Sequence, residues 1–157
     1  MSSSTRFRLR SAAIILRGDY VLLHRAEPDN FWTLPGGQIE IGESAQSALE
    51  REMLEELGAA VKVHNLAFVV ENFFSHNAKV THELGMYFLA EFESKSEYLN
   101  TSRSYRGIET STNLEFKWFP KLELNAIELL PSFLPAELKN LSNSTANIVH
   151  KVVRNAL

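Results

Sequence analysis

The chain has 157 residues, of which 45% are hydrophobic and 22% are charged. This size and balance are typical of one ordinary globular domain and argue against a disordered, collagen-like or coiled-coil protein. With 16 basic and 19 acidic residues, the formal net charge is -3, and the chain carries no strong signal of nucleic-acid binding.

In chain order, the apolar runs and turn residues predict strands at 12–16 and 20–25, a helix at 44–57 that ends at Gly58, strands at 61–74, 79–92 and 114–119, and one or two C-terminal helices. This mixture predicts the α/β (α+β) class. Residues 1–7 are expected to be flexible, 8–142 to form the main domain and 143–157 to form a C-terminal helical tail. Residues 94–113 are expected to form a mobile loop.

The chain contains no cysteine, which excludes disulfides, a thiolate nucleophile and Cys-ligated metal sites. No apolar run approaches the ~20 residues that a membrane helix needs. We therefore expect a cytoplasmic protein that makes no membrane contact.

The negative charge is concentrated in one segment. Six of the 17 glutamates lie between Glu40 and Glu56, and elsewhere basic residues outnumber acidic ones. On the predicted helix Glu52, Glu55 and Glu56 share one face, where like charges oppose helix formation by ~0.2–0.5 kcal/mol per pair. A bound cation would offset this repulsion, and oxygen ligands favour Mg²⁺ or Mn²⁺ over zinc.

A glycine bend before this helix strengthens the case for phosphate chemistry. Pro35-Gly36-Gly37 lets the backbone approach a ligand closely, and a cation held by carboxylates can neutralise a polyphosphate. The alternatives are a solvated glutamate-rich helix face and an ordinary loop. From these residues alone, a phosphate site is not favoured over these two structural alternatives.

The segment from Gly37 to Ala59 resembles a Nudix box, whose pattern is Gx5Ex7REUxEExGU with U a bulky aliphatic residue. The positions in register are Gly37, Glu43, Arg51, Glu52, Glu55, Glu56 and Gly58, while Met53 and Ala59 occupy the two aliphatic positions. The resemblance extends over roughly residues 8–140. It implies a Nudix-like α/β/α sandwich with a mixed β-sheet.

The resemblance also implies hydrolysis of a nucleoside diphosphate linked to another group, with Mg²⁺ or Mn²⁺ as cofactor. By position, the implied metal ligands are the Gly36 carbonyl and the carboxylates of Glu52, Glu55 and Glu56. Arg51 would orient the glutamates, Glu43 would support the loop, and Glu52 would activate water. Because the base varies in this family, Glu115 is a further catalytic candidate, with Glu109 behind it.

Substrate contacts are predicted less sharply. Arg25 could reach a phosphate, Phe31 and Trp32 could stack on a base, and His82 could face the cleft; surface or core roles are the alternatives for each. The sequence lacks the extra signatures of ADP-ribose, diadenosine polyphosphate and coenzyme A hydrolases, which favours nucleoside triphosphates.

Three alternatives to that substrate class stay open. They are a nucleotide-sugar or dinucleotide hydrolase, a nucleotide-sensing or RNA-binding module without catalysis, and an isomerase on the same fold. Because family members often pair, a homodimer is expected as an alternative to a monomer, with the apolar stripe near Ile148 as a partner surface.

Overall fold

The computed structural model describes residues 4–155. In order, its elements are strands β1 (Ser4–Arg17), β2 (Tyr20–Ala26) and β3 (Gly36–Gln38), helix α1 (Ala45–Leu57), strands β4 (Val61–His76), β5 (Lys79–Phe92), β6 (Ser104–Arg106) and β7 (Leu114–Pro120), helix α2 (Leu134–Asn140) and strand β8 (Val149–Arg154), with 3₁₀ turns at Glu97–Leu99 and Lys121–Ala126. The predicted mixed class and the predicted helix at 44–57 are confirmed.

One mixed sheet organises the fold. The strand order is β6-β7-β2-β1-β5-β4-β8, and β3 pairs separately with β1. Strands β1 and β5 run parallel from Ser4 opposite Lys79 to Ile15 opposite Ala90. Strands β4 and β5 form an antiparallel hairpin. The centre of the sheet is therefore long, and its two faces can hold separate layers.

Helical layers cover both faces of the sheet, as the predicted α/β/α sandwich requires. On one face α1 buries Leu49, Met53 and Leu57 in a core shared with β1, β5 and β7. On the other, Leu134 and Leu138 of α2 join a second core over the same strands. Alternate residues of one strand enter opposite cores because strand side chains alternate in direction.

The glutamate-bearing helix has clear ends. The Ser44 side chain accepts a hydrogen bond from the Ser47 backbone at 3.1 Å, and the Gly58 N–H donates to the Leu54 carbonyl at 3.0 Å. Gly58 has a left-handed φ of 71°, the usual conformation just past a helix C-terminus. These caps fix which residues of α1 are presented to the sheet.

The expected helical tail at 143–157 is wrong. Residues Val149–Arg154 form β8, which pairs in parallel with β4. Val153 is buried in the core shared with α2, while Lys151 donates to Glu137 at 2.6 Å. The segment alternates with a period of two and contains three valines, which favours a strand once β4 offers a free edge. Residues 156–157 lie outside the described part.

The expected flexibility of residues 1–7 is wrong for residues 4–7, which begin β1. Their partners are Lys79 to His82 of β5, far along the chain and so invisible to a local pattern. Residues 1–3 lie outside the described part. The segment 94–113, expected as a loop, holds a 3₁₀ turn and the short strand β6. Within residues 4–155, the helices are too short or too polar to cross a membrane.

Candidate active site

Arg51 organises the glutamate-rich face of α1. It donates to both carboxylate oxygens of Glu43, at 3.1 and 2.6 Å, and to the Gln38 carbonyl at 3.0 Å. The same guanidinium also donates to Glu52 at 2.9 Å and to Glu55 at 3.1 Å. Arg51 thus ties the helix to the loop before it and offsets the repulsion between the carboxylates.

The ionisation of these groups follows from their contacts. The hydrogen bond to Glu43 raises the pKa of Arg51 further, and the same bond holds the pKa of Glu43 below its usual range. Burial raises the pKa of Glu52, which Arg51 partly counteracts. Glu43 is therefore a structural anion, whereas Glu52 binds a proton more readily than an ordinary glutamate does.

Strand β3 lies directly against the Glu52 carboxylate. A Cβ atom on Gly37 would lie 2.2 Å from the Glu52 carboxyl carbon, and one on Gly36 would lie 2.0 Å from the Ser11 carbonyl oxygen. Gly36 pairs with Ala12 of β1. The two glycines thus allow three layers, β1, β3 and the α1 carboxylate, to approach more closely than any side chain permits.

Glu56 is more buried than Glu52 and Glu55, its neighbours on the same face of α1. Its Oε2 lies 3.6 Å from His24 Nδ1, and neither atom has a hydrogen-bond partner within the described part of the chain. Burial raises the pKa of Glu56 to about 8 and lowers that of His24 to about 3. An unpartnered buried carboxyl oxygen is costly unless it receives a cation or a donor.

The donor set fits a hard divalent cation in its chemistry. Carboxylates of Glu52, Glu55 and Glu56, termed here the glutamate cluster, are oxygen ligands, and Glu56 offers an oxygen with no protein partner. Among residues 4–155, no three acidic or histidine side chains converge as a closed metal site. Glu52 and Glu55 each accept a hydrogen bond from Arg51.

A cleft of about 500 Å³ opens beside Glu56, Gly36 and Gly37. Three arginines at alternate positions of β1 line it: Arg6, Arg8 and Arg10. Arg6 donates to Thr81 at 3.0 Å, Arg8 to Glu83, and Arg10 to the Leu34 carbonyl at 2.8 Å. Sequence reasoning did not identify these arginines as cleft residues, although their period of two on a strand was a usable signal.

Two of the predicted substrate residues line this cleft. Arg25 lies over the Trp32 ring at 4.4 Å and donates to Glu115 at 2.8 Å. Phe31 packs edge-on against His76, with ring centroids 5.5 Å apart. Both side chains therefore border the cleft from fixed positions.

Six predicted site residues are not among those that line the cleft: Arg51, Glu52 and Glu55 of α1, and also Trp32, His82 and Glu115. Trp32 is buried against Phe119, and Glu115 on β7 pairs with Arg25. His82 stacks on Phe73 at 4.2 Å, since it alternates with the cleft-lining Glu83 and points to the opposite face. The sequence alone does not predict the face of the sheet on which His82 lies, because that face depends on strand register.

Glu109 lies closer to the glutamate cluster than its position in a loop suggested. The Ile108 N–H donates to the Glu56 carbonyl at 2.8 Å, and the charge of Glu109 contributes to the raised pKa of Glu56. Of the two alternative bases, Glu109 is therefore the one whose charge acts on the cluster.

The fold and the site together define a class of protein: an α/β/α sandwich with a glycine turn and a carboxylate helix at one end of a basic cleft. The family model of the NUDIX domain matches residues 6–139, and the chain belongs to this family.

Comparisons with individual proteins agree with this assignment. The chain is 39% identical over 64 residues to an RNA pyrophosphohydrolase of Campylobacter jejuni subsp. doylei, covering 37% of this chain and 41% of that protein. It is 34% identical over 82 residues to the NAD-capped RNA hydrolase NudC of Photorhabdus laumondii, covering 51% of this chain and 30% of that protein. The matches thus span less than half the length of these curated relatives.

A similar solved structure is that of a MutT NUDIX hydrolase from Burkholderia pseudomallei. The identity is 25% and the TM-score 0.66, with 84% of this chain and 97% of that chain covered.

Proposed function

We propose that the chain is a Mg²⁺- or Mn²⁺-dependent pyrophosphohydrolase that cleaves a nucleoside diphosphate linked to another group. Nucleoside triphosphates are the substrate class that we propose first. One observation carries the proposal: Glu56 of the glutamate cluster lines a cleft that several arginines also line, and Arg51 holds Glu52 and Glu55 on the same helix. Paired anionic and cationic walls suit a polyphosphate that binds through a divalent cation.

The proposed cation ligands are Glu52, Glu55, Glu56 and the Gly36 carbonyl. When bound, the cation neutralises charge on the phosphate oxygens. Arg10 and Arg25 donate hydrogen bonds to the same phosphates.

Glu52 accepts a proton from the attacking water, in keeping with its raised pKa. The water oxygen bonds to phosphorus, the bridging P–O bond breaks, and the departing phosphate oxygen keeps the electron pair. Glu109 and Glu115 are the alternative bases, and Glu109 is preferred of these two because its charge acts on the cluster.

A substrate panel tests the reaction and its metal dependence together. It contains nucleoside triphosphates with and without oxidised bases, nucleotide sugars, dinucleotides and a 5′-triphosphorylated oligoribonucleotide, the last because a relative is an RNA pyrophosphohydrolase. We expect release of phosphate or pyrophosphate with Mg²⁺ or Mn²⁺, loss of turnover after EDTA treatment, and recovery when the cation is returned.

The outcome that overturns the proposal is a panel in which nothing turns over faster than with the Glu52→Gln variant. A nucleotide that stays bound and intact through long incubation with metal would instead support a sensing module without catalysis. Faster cleavage of nucleotide sugars or dinucleotides than of triphosphates would support the alternative substrate class.

We also propose that β8 provides the contact of a homodimer. Its Val149 and Val152 side chains are exposed, as is the preceding Ile148. Truncation before this strand would remove part of the sheet, so Val152→Lys is the better probe. We expect sedimentation velocity to show a dimer for the unmodified chain and a monomer for the variant; a monomer in both cases contradicts the proposal.

A further inference from the structure

Asn72 on β4 is a buried polar side chain without an assigned role. It is 8% exposed, it lines the cleft, and its Oδ1 has no hydrogen-bond partner within residues 4–155. Burying an amide oxygen without a partner is unfavourable. Asn72 Oδ1, at the wall of the cleft, is therefore available to accept a hydrogen bond from a ligand that enters the cleft.

The surroundings of Asn72 restrict what that group can be. Glu83 is its cross-strand neighbour on β5, and Glu83 in turn pairs with Arg8. Glu83 offsets the positive charge of Arg8, so this arginine attracts a phosphate only weakly, and the Glu83 carboxylate beside Asn72 repels one. A neutral polar group that can exchange hydrogen bonds with an amide is favoured instead.

An aromatic ring lies beside this amide on the same face of the sheet. Phe74 is two residues further along β4 and also lines the cleft, and the Arg8 guanidinium lies 5.6 Å from its ring centroid. A flat ring next to a buried hydrogen-bonding group is the combination by which proteins hold a nucleobase, since the ring stacks and the amide binds the base edge.

The position along the cleft agrees with this role. Gly36, next to the glutamate cluster, pairs with Ala12, whereas the row containing Asn72 crosses β1 at Arg8. Four residues of strand correspond to about 13 Å along the strands, and three strand spacings separate β3 from β4 across the sheet, which adds about 14 Å in the perpendicular direction. That separation leaves room for the phosphates and a ribose between the glutamates and the amide.

We propose that Asn72 is a specificity-determining residue that binds the hydrogen-bonding edge of the substrate's nucleobase, which lies against Phe74. The inference rests on the proposed function for its substrate class. An amide offers one donor and one acceptor side by side, so it suits a base edge that presents the complementary pair, such as the N6 and N7 edge of adenine or the O6 and N1 edge of guanine.

Base selectivity of the variants tests the inference. The measured quantity is kcat/KM for the four common nucleoside triphosphates, with Asn72→Leu compared with Glu71→Gln as control. Glu71 is the neighbouring residue on β4 and contacts His150 on the opposite face at 2.9 Å. We expect the unmodified chain and the control to prefer one base by about 10-fold to 100-fold. For Asn72→Leu we expect selectivity within about threefold, through an increase in KM for the preferred base with little change in kcat.

A binding experiment makes the test independent of turnover. By calorimetry without metal, the tightest-binding of the four common nucleoside monophosphates should bind the unmodified chain more tightly than ribose 5-phosphate does. That difference should shrink about 10-fold in Asn72→Leu. Asn72→Ala, which leaves space instead of adding an apolar group, serves if Asn72→Leu does not fold.

Two results would overturn the inference. One is that the Asn72 variants bind every nucleotide and ribose 5-phosphate more weakly by the same factor, which would mean that the residue has a purely structural role. The other is an absence of base preference in the unmodified chain. If no panel member is cleaved but the binding difference depends on Asn72, the proposed reaction fails and the base site stands.

Discussion

Replacing Glu52 by Gln is expected to lower kcat by about 10²–10⁴-fold, the usual loss when a general base is removed. The glutamine keeps the shape of the side chain and can still receive the Arg51 hydrogen bond seen at 2.9 Å. It cannot accept a proton from water, and it is a poorer cation ligand than a carboxylate. Because burial already disfavours the ionised form of Glu52, the substitution should leave the free energy of unfolding nearly unchanged.

Steady-state kinetics at saturating Mg²⁺ measure this effect, and Glu50→Gln is the matched control. Glu50 lies on the same helix with an exposed side chain, so kcat for this control should stay within about twofold of the unmodified chain. If Glu52→Gln kept more than about a tenth of the activity, the base would have to lie elsewhere. Glu109→Gln would then be expected to show the large loss, and Glu115→Gln a smaller one, because Glu115 is paired with Arg25.

Alanine substitution at the two glycines of β3 is expected to have different effects: at Gly36 it should lower stability, and at Gly37 it should lower kcat. Gly36→Ala should destabilise the fold by more than about 3 kcal/mol, since φ is +148° and the new Cβ would lie 2.0 Å from the Ser11 backbone oxygen. Gly37→Ala should cost less than about 1 kcal/mol, because the three atoms nearest its Cβ all belong to the Glu52 carboxylate, the far end of a flexible side chain. That displacement should nevertheless lower kcat about 10²-fold, the effect of misplacing a catalytic group by about 1 Å.

Urea unfolding and kinetics on the same preparations separate these effects. Gly42→Ala is the control for backbone strain alone, since Gly42 has φ +89° and open space around it. It should be less destabilising than Gly36→Ala. Unchanged kcat in Gly37→Ala would contradict a catalytic position for Glu52, and equal stability of Gly36→Ala and Gly42→Ala would contradict the close packing of β3 on β1.

Prediction from sequence was most successful where the determining contacts are local. The helix at 44–57 is visible from the spacing of Leu49, Met53 and Leu57 and from the cap at Gly58, all within one segment. The contacts from Arg51 to Glu43, Glu52 and Glu55 also lie within nine residues. The glutamate cluster could therefore be located before any tertiary contact was known.

Predictions failed where pairing partners are distant in the chain. Strand β8 needs the free edge of β4, about 80 residues earlier, and an isolated apolar stripe does not distinguish this strand from a helix. The substrate contacts show the same limit. His82 and Glu83 are adjacent, yet the register with β1 sends only Glu83 into the cleft.

By itself, the sequence determined the glycine turn, the carboxylate helix and its internal arginine, because short-range spacing decides which of these side chains meet. Only the tertiary structure decided the composition of the cleft. It brought Arg6, Arg8 and Arg10 from β1 beside Glu83 and Asn72, left Asn72 Oδ1 buried and unpartnered within the described chain, and turned His82 away. The physical reason is that non-local strand register selects the face on which every side chain of a strand lies.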